Sequence, residues 1–308
     1  MANSFMKAMT LTITGTPTTW KKTSIDQATK NDAPHNNSVT FVYQTKVAGS
    51  FRGVSVSWCQ NPKEHFVSIM LENSSEENKY TCKIDLESGQ SWGKKGLKTF
   101  EIQGARIDIY WDFRQAKFAT NPQPCSGYYV AMVHKKEVLL LLGDLEEMAY
   151  ERTKSKASSE EATLVCKRDN VYGKKLFCTR AVLEEGKSEH DVVIETSLSG
   201  PDEPEMWISI DGILASRIMN LNWRFRGNEI VMVNNLPVQI FWDVHDWLFT
   251  DLCSGPAFFV FKPGFSETSS YLNSRECQEN SEGSGRHESL EEYPSTNDFC
   301  HFLYAWRT

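Results

Sequence analysis

Two segments, Ile107-Asp-Ile-Tyr-Trp-Asp-Phe113 and Val238-Gln-Ile-Phe-Trp-Asp-Val244, lie 131 residues apart and hold that offset well beyond themselves. Trp92 falls on Trp223, Gly96 on Gly227, Trp111 on Trp242, Asp112 on Asp243 and Phe118 on Phe249. Tryptophan is only 9 of 308 residues, so two tryptophan pairs in one ungapped register argue for an internal repeat. Upstream, Glu64-His65 falls on Glu189-His190 at an offset of 125, and Ile84-Asp85 on Ile210-Asp211 at 126; downstream, Cys125-Ser-Gly127 falls on Cys253-Ser-Gly255 at 128. Each change of offset lies in a turn-like stretch, 73–78, 86–91 or 119–124, where insertions are tolerated.

Between those turns the runs alternate, or are β-branched and aromatic, as strands are. In the first half they predict strands over 40–47, 52–58, 65–71, 79–85, 99–102, 106–113, 128–133 and 138–142. In the second half the same reading gives 164–168, 176–183, 191–197, 206–211, 218–224, 230–233, 238–244 and 257–262. Short strands with frequent turns make the chain all-β, with tandem duplicated antiparallel β-sandwich or small barrel domains joined by a short linker helix over Leu145–Lys154. The expected organisation is a flexible segment over 1–38, a first β domain over 39–144, a linker over 145–162 and a second β domain over 163–264. A disordered acidic loop over 265–298 and a strand over 299–308 that completes the second domain follow. That last expectation rests on Phe299-Cys-His-Phe-Leu-Tyr-Ala-Trp306, whose aromatics suit an antiparallel partner for Ala257–Lys262 better than a solvated tail.

Charge narrows the partners. Residues 265–308 carry eight acids against three bases, so −5 of the net −7 sits there and −2 on residues 1–264. A nearly neutral body is not that of a general nucleic-acid binder, whose domain would be distinctly basic. No run of 18 apolar residues suits a transmembrane helix, and Met1–Gly15 lacks the charged and apolar regions of a secretory signal. A cytoplasmic location with eight reduced cysteines is therefore expected, an organelle transit peptide being left open.

Tyr80-Thr-Cys-Lys-Ile-Asp85, Tyr110-Trp-Asp-Phe-Arg114, Leu139-Leu-Leu-Leu-Gly-Asp144 and Glu205-Met-Trp-Ile-Ser-Ile-Asp-Gly212 resemble a plant-specific family, as do Phe241-Trp-Asp-Val244 and Phe302-Leu-Tyr-Ala-Trp306. That family is catalogued as domain of unknown function 868. The resemblance covers about residues 38–264 and the last eight or so; it implies a plant origin and no activity, ligand or catalytic residue.

No local signature of catalysis is present. The Trp-Asp dipeptides are too far apart for propeller blades and read as core tryptophans, with Asp112 and Asp243 holding the strand-to-turn step. Glu64 and His65, adjacent on a strand, point to opposite faces and cannot share a substrate. There is no C-x-x-C pair, G-x-S-x-G, G-x-G-x-x-G or phosphate loop, and hence no metal or cofactor is expected. Bases recur between the matched Trp and Gly: Lys94 and Lys95 in the first half, Arg224 and Arg226 in the second, with Lys174 and Lys175 as a third cluster. They are the candidate anion- or partner-binding residues. The expected function is a non-catalytic binding or scaffold module engaging a protein partner. A peripheral membrane-lipid or small-ligand binder and an enzyme with its site between the two domains are the alternatives.

Overall fold

The computed structural model describes residues 37–47, 49–72, 80–86, 93–102, 104–119, 121–159, 162–183, 189–198, 203–250, 255–264 and 299–308. The acidic stretch 265–298 and all but the last two residues of the segment 1–38 lie outside them, as do Trp92 and Cys253. The first half begins with β1 (Asn37–Val47), β2 (Ser50–Gln60), β3 (His65–Leu71) and β4 (Tyr80–Asp85). Next come β5 (Lys95–Ile102), β6 (Ala105–Asp112), the short β7 (Lys117–Phe118) and β8 (Pro124–Ser126), then β9 (Tyr129–His134) and β10 (Glu137–Gly143). Helix α1 (Glu146–Thr153) and β11 (Lys156–Ala157) lead to the second half. There β12 (Thr163–Gly173), β13 (Leu176–Val182), β14 (Glu189–Ser197), β15 (Glu205–Ile210) and β16 (Ile213–Ile218) come first. The chain closes with β17 (Arg226–Val233), β18 (Leu236–Asp243), α2 (His245–Phe249), β19 (Ala257–Pro263) and β20 (Cys300–Arg307).

The strands form a nine-stranded sheet in the order β17-β18-β19-β20-β12-β1-β2-β3-β4, a five-stranded sheet β11-β10-β9-β6-β5, a four-stranded sheet β13-β14-β15-β16 and the small pair β7-β8. None closes into a barrel, so the small-barrel alternative is excluded. Alternation sets the faces: in β19, Ala257, Phe259 and Phe261 are buried while Phe258, Val260 and Lys262 between them are partly exposed. One register row across the large sheet reads Ile240, Phe261, His301, Lys167, Phe41, Val56, Ile69 and Cys82, all buried. Directly opposed residues share a face, so both hydrophobic cores lie on the same side of this sheet. The five-stranded sheet covers β1–β4, burying Val54, Trp58, Ile107 and Met132 between the layers. The four-stranded sheet covers β17–β20, burying Ile194, Ile208, Phe259 and Leu303. Ala149 of α1 seals the outer face of the five-stranded sheet against Tyr129 and Ala131.

The two halves share ladder order but close differently. Ile213–Ile218 forms β16, and the stretch 219–224, expected to be strand, is a turn in which Asn220 takes a φ of 58°. With β16 the second half, like β1–β4 of the first, runs through four antiparallel strands before it crosses to the other sheet at β17. Trp58, late in β2, packs edge-on against Phe113 just past β6 at 6.0 Å. Phe177, early in β13, instead stacks at 4.7 Å on Trp247 just past β18. The first strands differ too: β1 pairs with β2, whereas β12 leaves β13 to pair with β1 and, in parallel, with β20. Helix α2 was not foreseen; it is five residues long, too short for a periodic pattern.

Candidate functional site

Where the two cores meet, three inward positions of β12 and β20 are polar. Lys167 and Asp169, two apart on β12, point inward together, and His301 stands opposite Lys167 on β20. Their side chains are 4%, 2% and 0% exposed. His301 Nε2 lies 2.9 Å from Asp169 Oδ2, and the Thr179 hydroxyl donates to the same oxygen. Lys167 Nζ donates to the Arg180 carbonyl at 2.5 Å and to Glu189 Oε1 at 3.1 Å, and sits 3.8 Å from Asp169 Oδ2. Burial works to raise the Asp169 carboxyl. The hydrogen bonds from His301 and Thr179 and the charges of His301 and Lys167 outweigh it and hold the group below the usual carboxylate range. Asp169 Oδ1 and His301 Nδ1 are buried with no partner. Tyr43 beside this seam is pushed well up by burial, then by Tyr128 and Glu189. An acid–base group must reach its substrate, and this cluster is closed to water; its chemistry is that of a polar joint between two cores.

The repeated Trp-Asp motif builds the same turn twice. Trp111 Nε1 donates to the Gly93 carbonyl at 2.9 Å, and Trp242 Nε1 to the Arg224 carbonyl at 2.9 Å. Each indole lies over a glycine, where an added Cβ would come within 2.3 Å at Gly96 and 2.4 Å at Gly227. Asp112 and Asp243 each accept from the backbone N–H two residues on, at Arg114 and His245, at 3.2 and 3.0 Å.

Two of the six candidate bases are spent on these turns: Lys95 Nζ is 3.6 Å from Asp112, and Arg226 Nε is 2.7 Å from Asp243. Arg224 is exposed with its guanidinium 5.8 Å from the Trp242 ring; Lys94 is partly exposed and offers its carbonyl to Phe113 N–H. Lys174 and Lys175 are exposed in the turn from β12 to β13. The registers place Arg224, Arg226, Lys174 and Lys175 at one end of the large sheet, where β12, β20, β18 and β2 finish and β17, β19 and β3 start. Lys94 and Lys95, at the start of β5 in the five-stranded sheet, lie at the same end, where Phe113 meets Trp58. They do not converge: β17 and β12 are four strands apart, roughly 19 Å at about 4.8 Å per strand.

A third feature escaped the sequence reading. On the side of the large sheet away from both cores, β18, β19, β20 and β12 turn Phe241, Phe258, Phe302, Tyr304, Trp306 and Tyr172 outward, all partly exposed. Phe258 stacks on Phe302 at 6.0 Å and Tyr172 on Trp306 at 6.1 Å. No helix or other sheet packs over this face among the described residues. On β1, β2 and β3 the same face mixes Ser38, Thr40, Ser55, Ser57 and Ser68 with Val42, Phe66 and Met70, so the aromatic side chains are concentrated, rather than confined, on β18, β19, β20 and β12. The signal was present: both positions of the alternation in Ala257–Lys262 and Phe299–Trp306 are apolar, as in strands buried on two sides.

The family model described as plant protein of unknown function (DUF868) matches residues 34–307. No curated protein and no solved structure matches the chain.

Proposed function

The chain belongs to that plant family, and from this premise we propose that it is a non-catalytic binding module whose protein partner docks on the outward aromatic face of β18, β19, β20 and β12. One observation carries the reading: six aromatic side chains occupy the open side of a sheet whose other side is already filled by two cores. Aromatic residues supply large contact area at little cost in side-chain entropy, and contiguous apolar patches mark interaction sites. Arg168 and Asn170, next to Phe302 and Tyr304 in the register, would provide the polar rim. In the same reading the two halves are diverged copies of one sandwich, over 39–144 and over 163–264 with 299–308. The twice-built Trp–Gly–Asp turn supports that descent, and a reducing, cytoplasmic setting suits the thiols.

The test is affinity capture from plant cells with the full chain and with a Phe258→Ala, Tyr304→Ala double variant of unchanged melting temperature. A partner retained by the native chain and by an Ile213→Ser control, but lost by the double variant, supports the reading. Capture that is indifferent to the face sinks it.

A further inference from the structure

Trp223 is 86% exposed, the highest value among the large apolar side chains described. It is not left loose. Leu221, fully buried, anchors its turn, and the N–H groups of Trp223 and Arg224 both bond to the Asn220 carbonyl at 2.9 Å. The turn therefore holds an indole out in water, against the direction of the hydrophobic effect. Met219 and Phe249 beside it are each 52% exposed, with the Phe249 ring 5.5 Å from Phe225. Leu176 at 46% and Phe118 at 40% stand at the same end of the molecule. So do Arg224, Lys174, Lys175 and Lys94. Among the acids at this end, Asp112, Asp243, Glu64 and Asp246 each sit against a base or histidine (Lys95 and Arg114, Arg226, Lys83, and His245), while Glu195, opposite Leu176, and Glu203 are exposed.

We propose that this end of the molecule docks on the surface of an anionic lipid bilayer, Trp223 and Phe249 entering the headgroup region while Arg224, Lys174, Lys175 and Lys94 face its negative charge. The spread of the bases argues for a membrane over a compact partner. Charges roughly 19 Å apart, on loops rather than in a pocket, match a flat, laterally continuous anionic plane. Indole rings favour the boundary between water and hydrocarbon, and each base near such a surface adds to the attraction. The surface differs from the aromatic sheet face, so this inference stands or falls independently of that one.

Flotation of the full chain with phosphatidylcholine vesicles, with and without a third of phosphatidylserine, tests it. Binding is expected only to the serine-containing vesicles, weakening as salt screens the charges. Trp223→Ala and the double reversal Lys174→Glu, Lys175→Glu should each lower the partition coefficient about tenfold or more. Both sites are exposed, so melting temperatures should hold, and Ile213→Ser at the opposite end should bind as the native chain does. Failure to float with serine-containing vesicles at low salt, equal binding to both vesicle types, or native binding by both variants would overturn the proposal.

Discussion

His301 and Asp169, 132 residues apart in the chain, meet at 2.9 Å with neither side chain open to water. The contact ties the last strand to the strand that opens the second half. It also lies in the one stretch of the large sheet where neither core can be continuous, because the register passes from Phe261 through His301 and Lys167 to Phe41.

Breaking this joint from one side leaves buried polar groups short of partners. Asp169→Ala should cost about 3–5 kcal/mol, since the buried His301, and Thr179 beside it, lose their acceptor and Lys167 keeps only Glu189 of its two anions. Urea denaturation of the two proteins measures it. A loss below about 1 kcal/mol would mean that water already relieves the cluster.

The same carboxylate sets a response to acid. Its folded pKa is depressed, so its contribution is complete above the ordinary unfolded value of about 3.9 and disappears as pH falls through the lower folded value. Stability should therefore decline as the pH drops below about 4, and less steeply in Asp169→Asn. Unfolding midpoints from neutral to strongly acidic pH supply the comparison; parallel curves for the two proteins would remove Asp169 as the cause.

The two glycines under the indoles provide a paired experiment. Gly96→Ala and Gly227→Ala each force a methyl group into ring atoms at about the same close approach, and each should destabilise by about 1–3 kcal/mol. Calorimetry of the single variants would show similar losses. An unaffected variant would mean that its tryptophan swings aside freely.

The six cysteines in the described residues are thiols rather than disulfides. Burial pushes up the thiols of Cys59, Cys82, Cys166 and Cys178. Cys125 is exposed, so it should alkylate ahead of the buried Cys82 and Cys166 in the native protein. Timed labelling read by mass spectrometry decides this, and faster reaction at Cys82 or Cys166 would contradict the burial described.

Removing Cys300–Thr308 should have the largest effect of all. Strand β20 is hydrogen-bonded to β19 on one side and β12 on the other, and it buries His301, Leu303 and Ala305. Its loss exposes two ladders and splits the large sheet in two, so the shortened chain should be insoluble or molten. A cooperative melt near that of the full chain would show that the halves stand without it.

Local pattern determined much of this protein. Alternation within Glu189–Ser197 or Ala257–Pro263 is a property of neighbours in sequence, and it made the strands and their faces readable. The helix over Glu146–Thr153 and the aspartates at the strand ends were legible for the same reason. Tertiary structure decided what lies opposite what. Nothing in Thr163–Gly173 says that it abandons its hairpin neighbour for β1 and β20, since a strand's hydrogen-bonding edges carry no side-chain code and many pairings satisfy them equally. That choice joins the halves into one sheet, places Lys167 and Asp169 at the joint, and leaves an aromatic face open. Likewise the bases were visible in the sequence, but their gathering at one end followed from the antiparallel pairing that sets where β12 finishes and β5 and β17 start. Side-chain periodicity is written residue by residue; strand partnership is settled only when distant segments compete for the same edge.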